Sequence, residues 1–186
     1  MGKSEGARFL AESGVPMVDT DDLARAVAAP GEPGFDAVVQ EFGADLVGED
    51  GALRRGALAE IVFREPAARA RLEGILHPLI RQRWLAEAEE WRARGAEAGV
   101  VVIPLLFETG AERFFERVIC IASSVERQSV RLQARGWSTE QVSGRLAAQW
   151  PIEKKMDRAD YVVWNDSSVA VLREQLGRIP PVKGKS

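Results

Sequence analysis

The sequence has a single cysteine, Cys120, and a single histidine, His77. One cysteine excludes an intramolecular disulfide and a cysteine zinc cluster, and one histidine excludes a histidine-rich metal site. No apolar run approaches the roughly 20 residues that span a bilayer. The first residues, Met1-Gly2-Lys3-Ser4, lack the apolar stretch of a secretory signal. Basic charge is not in excess either: 25 Lys and Arg stand against 28 Asp and Glu, a formal charge of −3. That balance gives no electrostatic reason to expect nucleic acid or an anionic membrane as partner. A reduced, cytoplasmic compartment is the expectation. What is present is an ordinary globular composition, 46% hydrophobic and 28% charged over 186 residues. That length suits one compact domain with small appended subdomains and a real core.

Along the chain, Ser4 to Ser13 reads as a helix stopped by Gly14, and Val15 to Val18 as a short apolar strand ending at Asp19. A helix is predicted over 21–28, closed by Pro30-Gly31, and helical pieces with turns such as Gly48-Glu49-Asp50-Gly51 follow. The longest helical pattern covers 66–94, and Pro78 inside it predicts a kink or break around His77. Val100 to Ile103 is an unbroken β-branched run, the pattern of a strand buried on both faces. A strand over 117–122 is followed by a helix over 124–134 with Ser123 or Ser124 as cap. A shorter helix is predicted near Ser138-Thr139-Glu140-Gln141, whose spacing fits a capping box. A last strand, 161–164, precedes a helix over 168–178 and a disordered tail. Strands alternating with helices predict a parallel α/β sheet with helices on both faces. Such a domain normally opens with a strand, and this chain opens with a helix.

Gly2-Lys3-Ser4 running straight into that helix matches the end of the G-x-x-x-x-G-K-[ST] phosphate loop. Glycines let backbone N–H groups curl around phosphate oxygens, and the helix N-terminus adds its positive end. The lysine neutralises β- and γ-phosphate charge, and the serine hydroxyl is a magnesium ligand. The first glycine of the loop would precede residue 1, and the tripeptide alone is equally an ordinary polar N-terminus. The acidic run Asp19-Thr20-Asp21-Asp22 lies at the carboxyl end of the first strand, where ligands gather in open α/β sheets. A carboxylate there orients or deprotonates a hydroxyl; alternatively Asp19 or Asp21 caps the next helix.

These segments, with Ile75-Leu76-His77-Pro78-Leu79-Ile80, Ile103-Pro104-Leu105-Leu106-Phe107-Glu108, Gln128-x-x-Arg131-x-x-x-Arg135, Arg145-Leu146-Ala147-Ala148-Gln149 and Ala159-Asp160-Tyr161-Val162-Val163 followed by Asn165, occur in an order that resembles the dephospho-coenzyme A kinase family. The resemblance runs from residue 2 to about 178. It implies a P-loop kinase-type sheet, with a core over 1–28, 99–135 and 158–180, a helical substrate subdomain over 29–98, and a lid over 136–157. It implies transfer of the ATP γ-phosphate, with Mg2+, to the ribose 3′-hydroxyl of dephospho-coenzyme A. Gly2, Lys3, Ser4, Arg131, Arg135 and Asn165 would serve ATP, Asn165 where the final loop nears the adenine, and Ser4 the metal. Asp21 would be the base, with Lys3 and Arg131 assisting the transfer. Asp21, Arg25, His77, Arg81, Glu108 and Arg145 would bind the substrate. The two substrates are the partners implied, and the protein a monomer or weak homo-oligomer.

The departures carry expectations of their own. A full phosphate loop needs a preceding strand, so Met1 is expected to be an internal methionine of that loop, and the chain without the strand is expected to fold poorly or turn over little. Trp164 stands where the family often has Asp, and the strand at 100–103 carries no acid to hold magnesium. Two other readings stand beside the first: a P-loop kinase for a nucleoside monophosphate or small alcohol, and a non-catalytic remnant that binds dephospho-coenzyme A. A lone His before Pro, and arginines along a helix, are also ordinary structural features.

Overall fold

The computed structural model describes residues 2–134 and 149–180. The predicted helix over 138–141, Arg135, Arg145, most of the expected lid and the tail lie outside the described residues. The chain divides into two compact units, residues 1–17 with 96–186, and residues 18–95.

In the first unit, α1 (Lys3–Glu12) starts at Gly2 and stops where Gly14 takes a positive φ. The chain then enters β1 (Met17–Asp19), of which only Met17 belongs to this unit, and the Pro16 carbonyl accepts from Val100 N–H at the head of the β1–β2 pair. β2 (Val100–Val102) is followed by β3 (Ile119–Ala122), α6 (Val125–Gln133), α7 (Ile152–Asp157), β4 (Tyr161–Trp164) and α8 (Val169–Gly177). β3 and β4 run parallel, with Ile119 opposite Tyr161 and Ala122 opposite Trp164. Parallel pairing requires a crossover between the strands, and α6 begins it. Of the two serines offered as the cap of α6, Ser124 is the one, accepting from Arg127 N–H, and Ser168 likewise caps α8 by accepting from Val171 N–H.

Val163, Leu172 and Leu176 form the centre of this unit, with Phe9, Ile119 and Ile121 packed around them. Gly6 explains how α1 reaches that centre. A Cβ at residue 6 would lie 2.8 Å from Ile121 Cδ1 and 3.1 Å from Leu176 Cδ1, so glycine lets the helix lie this close to β3 and α8 without displacing those side-chain ends. Arg173 of α8 then reaches Glu5 at 3.5 Å and Glu12 at 3.1 Å on α1.

The strand over 100–102 is half-buried rather than buried on both faces. β2 pairs with β1 and β3 with β4, so the described strands form two separate pairs. Between β2, β3 and α1 lies an apolar slot of about 150 Å³, lined among others by Ala7, Val101, Ile103, Ile119 and Ile121, with Lys3 also on its wall. Consecutive residues from Gly99 to Ile103 all line it. Side chains alternate faces along a strand, so the slot meets β2 along its edge.

The second unit holds α2 (Thr20–Val27), α3 (Pro33–Phe42), α4 (Arg55–Arg64) and α5 (Pro66–Ala93). Its core is Ala28, Val38, Leu46, Leu53 and Leu58, with Leu72, Ile75 and Leu76 of α5 packed against them. Of the kink or break predicted around His77, the break does not occur: α5 is one helix of 28 residues with Pro78 inside it. Proline removes one i→i−4 bond and crowds the turn before it. Here α5 is held by packing on both sides of that turn, through Ile75 and Leu76 before it and Trp84, 4% exposed, after it.

Leu172 is 1% exposed at the centre of the first unit. Leu172→Ala is expected to lower unfolding stability by about 3 kcal/mol, as measured by urea denaturation; a loss below about 1 kcal/mol would show that this cluster is not a packed core.

Candidate active site

Gly2 heads α1 in the left-handed region, at φ 96°. A Cβ added there would fall 2.0 Å from Asn165 Nδ2 and 3.2 Å from its Cγ. The first turn of α1 therefore sits directly against the carboxamide at the end of β4. Lys3 and Ser4 follow on that turn, Lys3 half-buried and Ser4 exposed. The charge of Lys3 also reaches β3: burial pushes the Cys120 thiol up, and Lys155 and Lys3 oppose that shift.

The loop after β4 is tied to the loop after β3. Asn165 N–H donates to the Ala122 carbonyl at 2.8 Å, continuing the parallel ladder by one residue. Ser124 N–H donates to Asp166 Oδ1 at 2.8 Å. Burial disfavours the Asp166 carboxylate, but bonds from Ser124 and the nearby Arg127 outweigh it and hold its pKa below the ordinary value. Ser123 is buried, and its carbonyl accepts from Gln128 Nε2 at 2.9 Å. From this junction α6 carries Arg131, whose Nη1 is buried with no hydrogen-bond partner among the described residues. A buried guanidinium nitrogen without an acceptor is a costly arrangement, and an anionic ligand removes the cost.

Glu108 follows the Pro104-Leu105-Leu106-Phe107 exit from β2. Its Oε1 takes Lys155 Nζ at 2.8 Å and Trp150 N–H at 2.8 Å. Burial pushes its pKa up, yet Lys155 and the Trp150 N–H outweigh that and hold it below the usual carboxylate range. Lys155 Nζ also reaches Gln149 Oε1 at 3.1 Å, Phe107 stacks on Trp150, and Lys154 lies over the Trp150 ring at 3.5 Å. In this arrangement Glu108 anchors α7 to the exit of β2.

In the second unit, the alternative given for the acidic run resolves onto Asp19, which caps α2 by accepting from Asp21 N–H at 2.9 Å. The Asp21 side chain is exposed on the first turn of α2, and Arg25 is exposed and paired with Asp22 at 2.9 Å. His77 and Arg81 share α5 one turn apart, both half-buried. Burial lowers the His77 pKa, with Arg81 and Arg69 adding to the effect and Glu73 opposing it.

Residue-level reading of the sequence missed Lys155 and Asp166. Lys155 sits in the charged run Glu153-Lys154-Lys155, which carries no sign that one of its two lysines is 7% exposed. Asp166 had a faint signal, as an acid immediately after a strand and one residue from a proposed ligand.

A parallel α/β unit with a Gly-Lys-Ser helix head packed on the carboxyl ends of two strands has the architecture of a P-loop kinase. The comparisons with known proteins narrow the class. The family model for dephospho-CoA kinase matches residues 1–171. The chain is 38% identical to dephospho-CoA kinase of Bdellovibrio bacteriovorus over 96% of its own length and 89% of that protein's. It is likewise 38% identical to that of Geobacillus kaustophilus, over 94% and 88% of the two chains. Among solved structures, TT1252 from Thermus thermophilus superposes with a TM-score of 0.80 at 34% identity, covering 94% of this chain and 87% of that one. Dephospho-CoA kinase from Campylobacter jejuni superposes with a TM-score of 0.69 at 28% identity, over 95% and 89%. The chain belongs to the dephospho-CoA kinase family.

Removing one partner of a buried pair leaves the other charge uncompensated. Lys155→Met is expected to cost about 3 kcal/mol, while Lys155→Met with Glu108→Gln recovers most of it, as read by denaturant midpoints. Equal losses in the single and double variants would show that the pair is not coupled. For His77, a depressed folded pKa means the unfolded chain takes the proton first, so stability falls as pH drops below the ordinary value of 6.5. His77→Gln is expected to show a shallower loss of stability between pH 7.5 and 5, and an unchanged slope would refute the burial effect.

Proposed function

We propose that this protein transfers the γ-phosphoryl group of ATP to the ribose 3′-hydroxyl of dephospho-coenzyme A, giving coenzyme A in the last step of its synthesis. The observation that carries this reading is the head of α1: Gly2 with positive φ, then Lys3 and Ser4 on the first turn, against the ends of β3 and β4. Backbone N–H groups at a helix start and a lysine beside them suit a polyphosphate. Phosphoryl transfer needs mainly positioning and charge stabilisation rather than covalent chemistry.

In this reading Lys3 neutralises charge on the transferring group and Arg131 gives its buried, unbonded Nη1 to a phosphate oxygen. Asp21 accepts the proton of the 3′-hydroxyl as that oxygen attacks phosphorus. His77, Arg81 and Arg25 bind the acceptor substrate, with Arg135 and Arg145 as further phosphate ligands. Glu108 acts through Lys155 rather than by touching substrate. Magnesium fits as an ion carried on the nucleotide phosphates with the exposed Ser4 hydroxyl as a protein ligand. Among the described residues no group of three or more His, Cys, Asp or Glu is placed to hold a metal. The ion's role is to bridge the phosphates and offset their charge.

No helix among the described residues is long and apolar enough to cross a membrane. We assign the reaction to the cytoplasm, and the working form to a monomer or weak homo-oligomer.

A coupled ADP-release assay with ATP, magnesium and dephospho-coenzyme A tests this, run on the 186-residue chain and on one extended by the upstream reading frame. Lys3→Met is expected to lower kcat about a hundredfold or more, and Asp21→Asn by a similar factor. No turnover by either folded chain would reject the kinase, and tight dephospho-coenzyme A binding without turnover would leave the non-catalytic reading.

A further inference from the structure

The resemblance to the family places Asn165 near the adenine of ATP. The geometry points elsewhere: we propose that Asn165 is a positioning residue for the phosphate end of the nucleotide site and does not read the purine. This inference rests on the reading of Gly2-Lys3-Ser4 as the phosphate-binding element.

Three observations carry it. The Asn165 residue is 5% exposed, so its carboxamide is covered by protein rather than presented to a base. The space beside the Gly2 Cα is filled by that carboxamide, with Nδ2 only 2.0 Å from where a Cβ would stand and Leu172 3.8 Å away on the same side. The backbone around Asn165 is pinned at three successive residues. Trp164 exchanges bonds with the Gln175 side chain at 3.1 and 2.9 Å. Asn165 donates to Ala122 at 2.8 Å, and Asp166 accepts from Ser124 at 2.8 Å. A buried amide on so fixed a backbone is a poor reader of an incoming ring but a good wall for a loop. The backbone it abuts is the one that must hold a left-handed conformation at Gly2 for the following N–H groups to face phosphate. Holding that geometry before the ligand arrives is where the side chain contributes to affinity.

The test separates base from phosphate. With magnesium present, the affinities of the full chain for ATP, GTP and inorganic tripolyphosphate are measured for the natural sequence, Asn165→Ala and Asn165→Asp, together with the affinity for dephospho-coenzyme A and the circular dichroism spectrum. Asn165→Ala is expected to weaken all three polyphosphates by a common factor of about tenfold, the size of one lost hydrogen-bonded contact. The ATP-to-GTP ratio and the dephospho-coenzyme A affinity should not move. Asn165→Asp keeps the shape of the side chain, so it covers the case in which the alanine variant unfolds. It should weaken the polyphosphates further, because its charge repels them. A changed ATP-to-GTP ratio with tripolyphosphate binding intact would overturn the proposal and return Asn165 to the base. Unchanged affinities in a folded variant would overturn it as well. Failure of the natural chain to bind tripolyphosphate and ATP alike would instead reject the phosphate-binding reading on which the proposal stands.

Discussion

Much of the first unit follows from one close approach: the head of α1 and the turn after it lie against β3, β4 and α8 at two glycines. At residue 2 the space for a Cβ is taken by Asn165, and at residue 6 by Ile121 and Leu176. Because those two glycines bring the helix backbone against β3, β4 and α8, Lys3 and Ser4 are delivered to the strand ends rather than to open surface. The same close approach lets Arg173 meet both Glu5 and Glu12. Those ion pairs are partly exposed and contribute little by themselves, so they follow the packing rather than cause it. A helix head with ordinary side chains would stand off from the sheet, and its N–H groups would face water.

Charge in this unit is used in two distinct ways. Lys155 is buried and satisfied, with Glu108, Gln149 and the Pro104 carbonyl around its ammonium. It fastens α7 to the exit of β2 and leaves no donor capacity obviously directed at a ligand. Arg131 is the opposite case, with a buried guanidinium nitrogen that has no acceptor among the described residues. The first pattern is that of a structural tie, and the second is the one that the proposed phosphate contact would satisfy. Mere counting of basic residues would treat the two alike, although their surroundings among the described residues differ.

The second unit shows local preference yielding to packing. Pro78 disfavours a continuous helix, but the turns on either side are committed to the core through Leu72, Ile75 and Leu76 and through Trp84. Breaking the helix would expose those groups, and at about 1.5–3 kcal/mol for each large apolar side chain that loss competes with the roughly 3 kcal/mol cost of an interior proline. His77, at the proline, is thereby fixed half-buried, which is why its protonation is coupled to the fold.

Element identity was largely legible in the sequence, since it depends on local pattern: the strand at 161–164, the serine cap at 124, and the β-branched run beginning at Val100 all stand where periodicity and capping chemistry put them. The ordered motifs were equally legible, and they determined the family, because a motif is a local requirement for a residue type at a spacing. What the sequence did not contain was which polar groups are consumed by the fold. Glu108 reads as a free acid after a strand until Lys155 is seen upon it, and no local pattern announces that the Asn165 amide lies against Gly2. Asp19 and Asp21 were interchangeable as caps until the backbone direction chose Asp19. Each of these was decided by the tertiary structure alone, because burial and pairing arise between residues far apart in the chain, and a side chain's chemistry is free for a ligand only where no such neighbour has taken it.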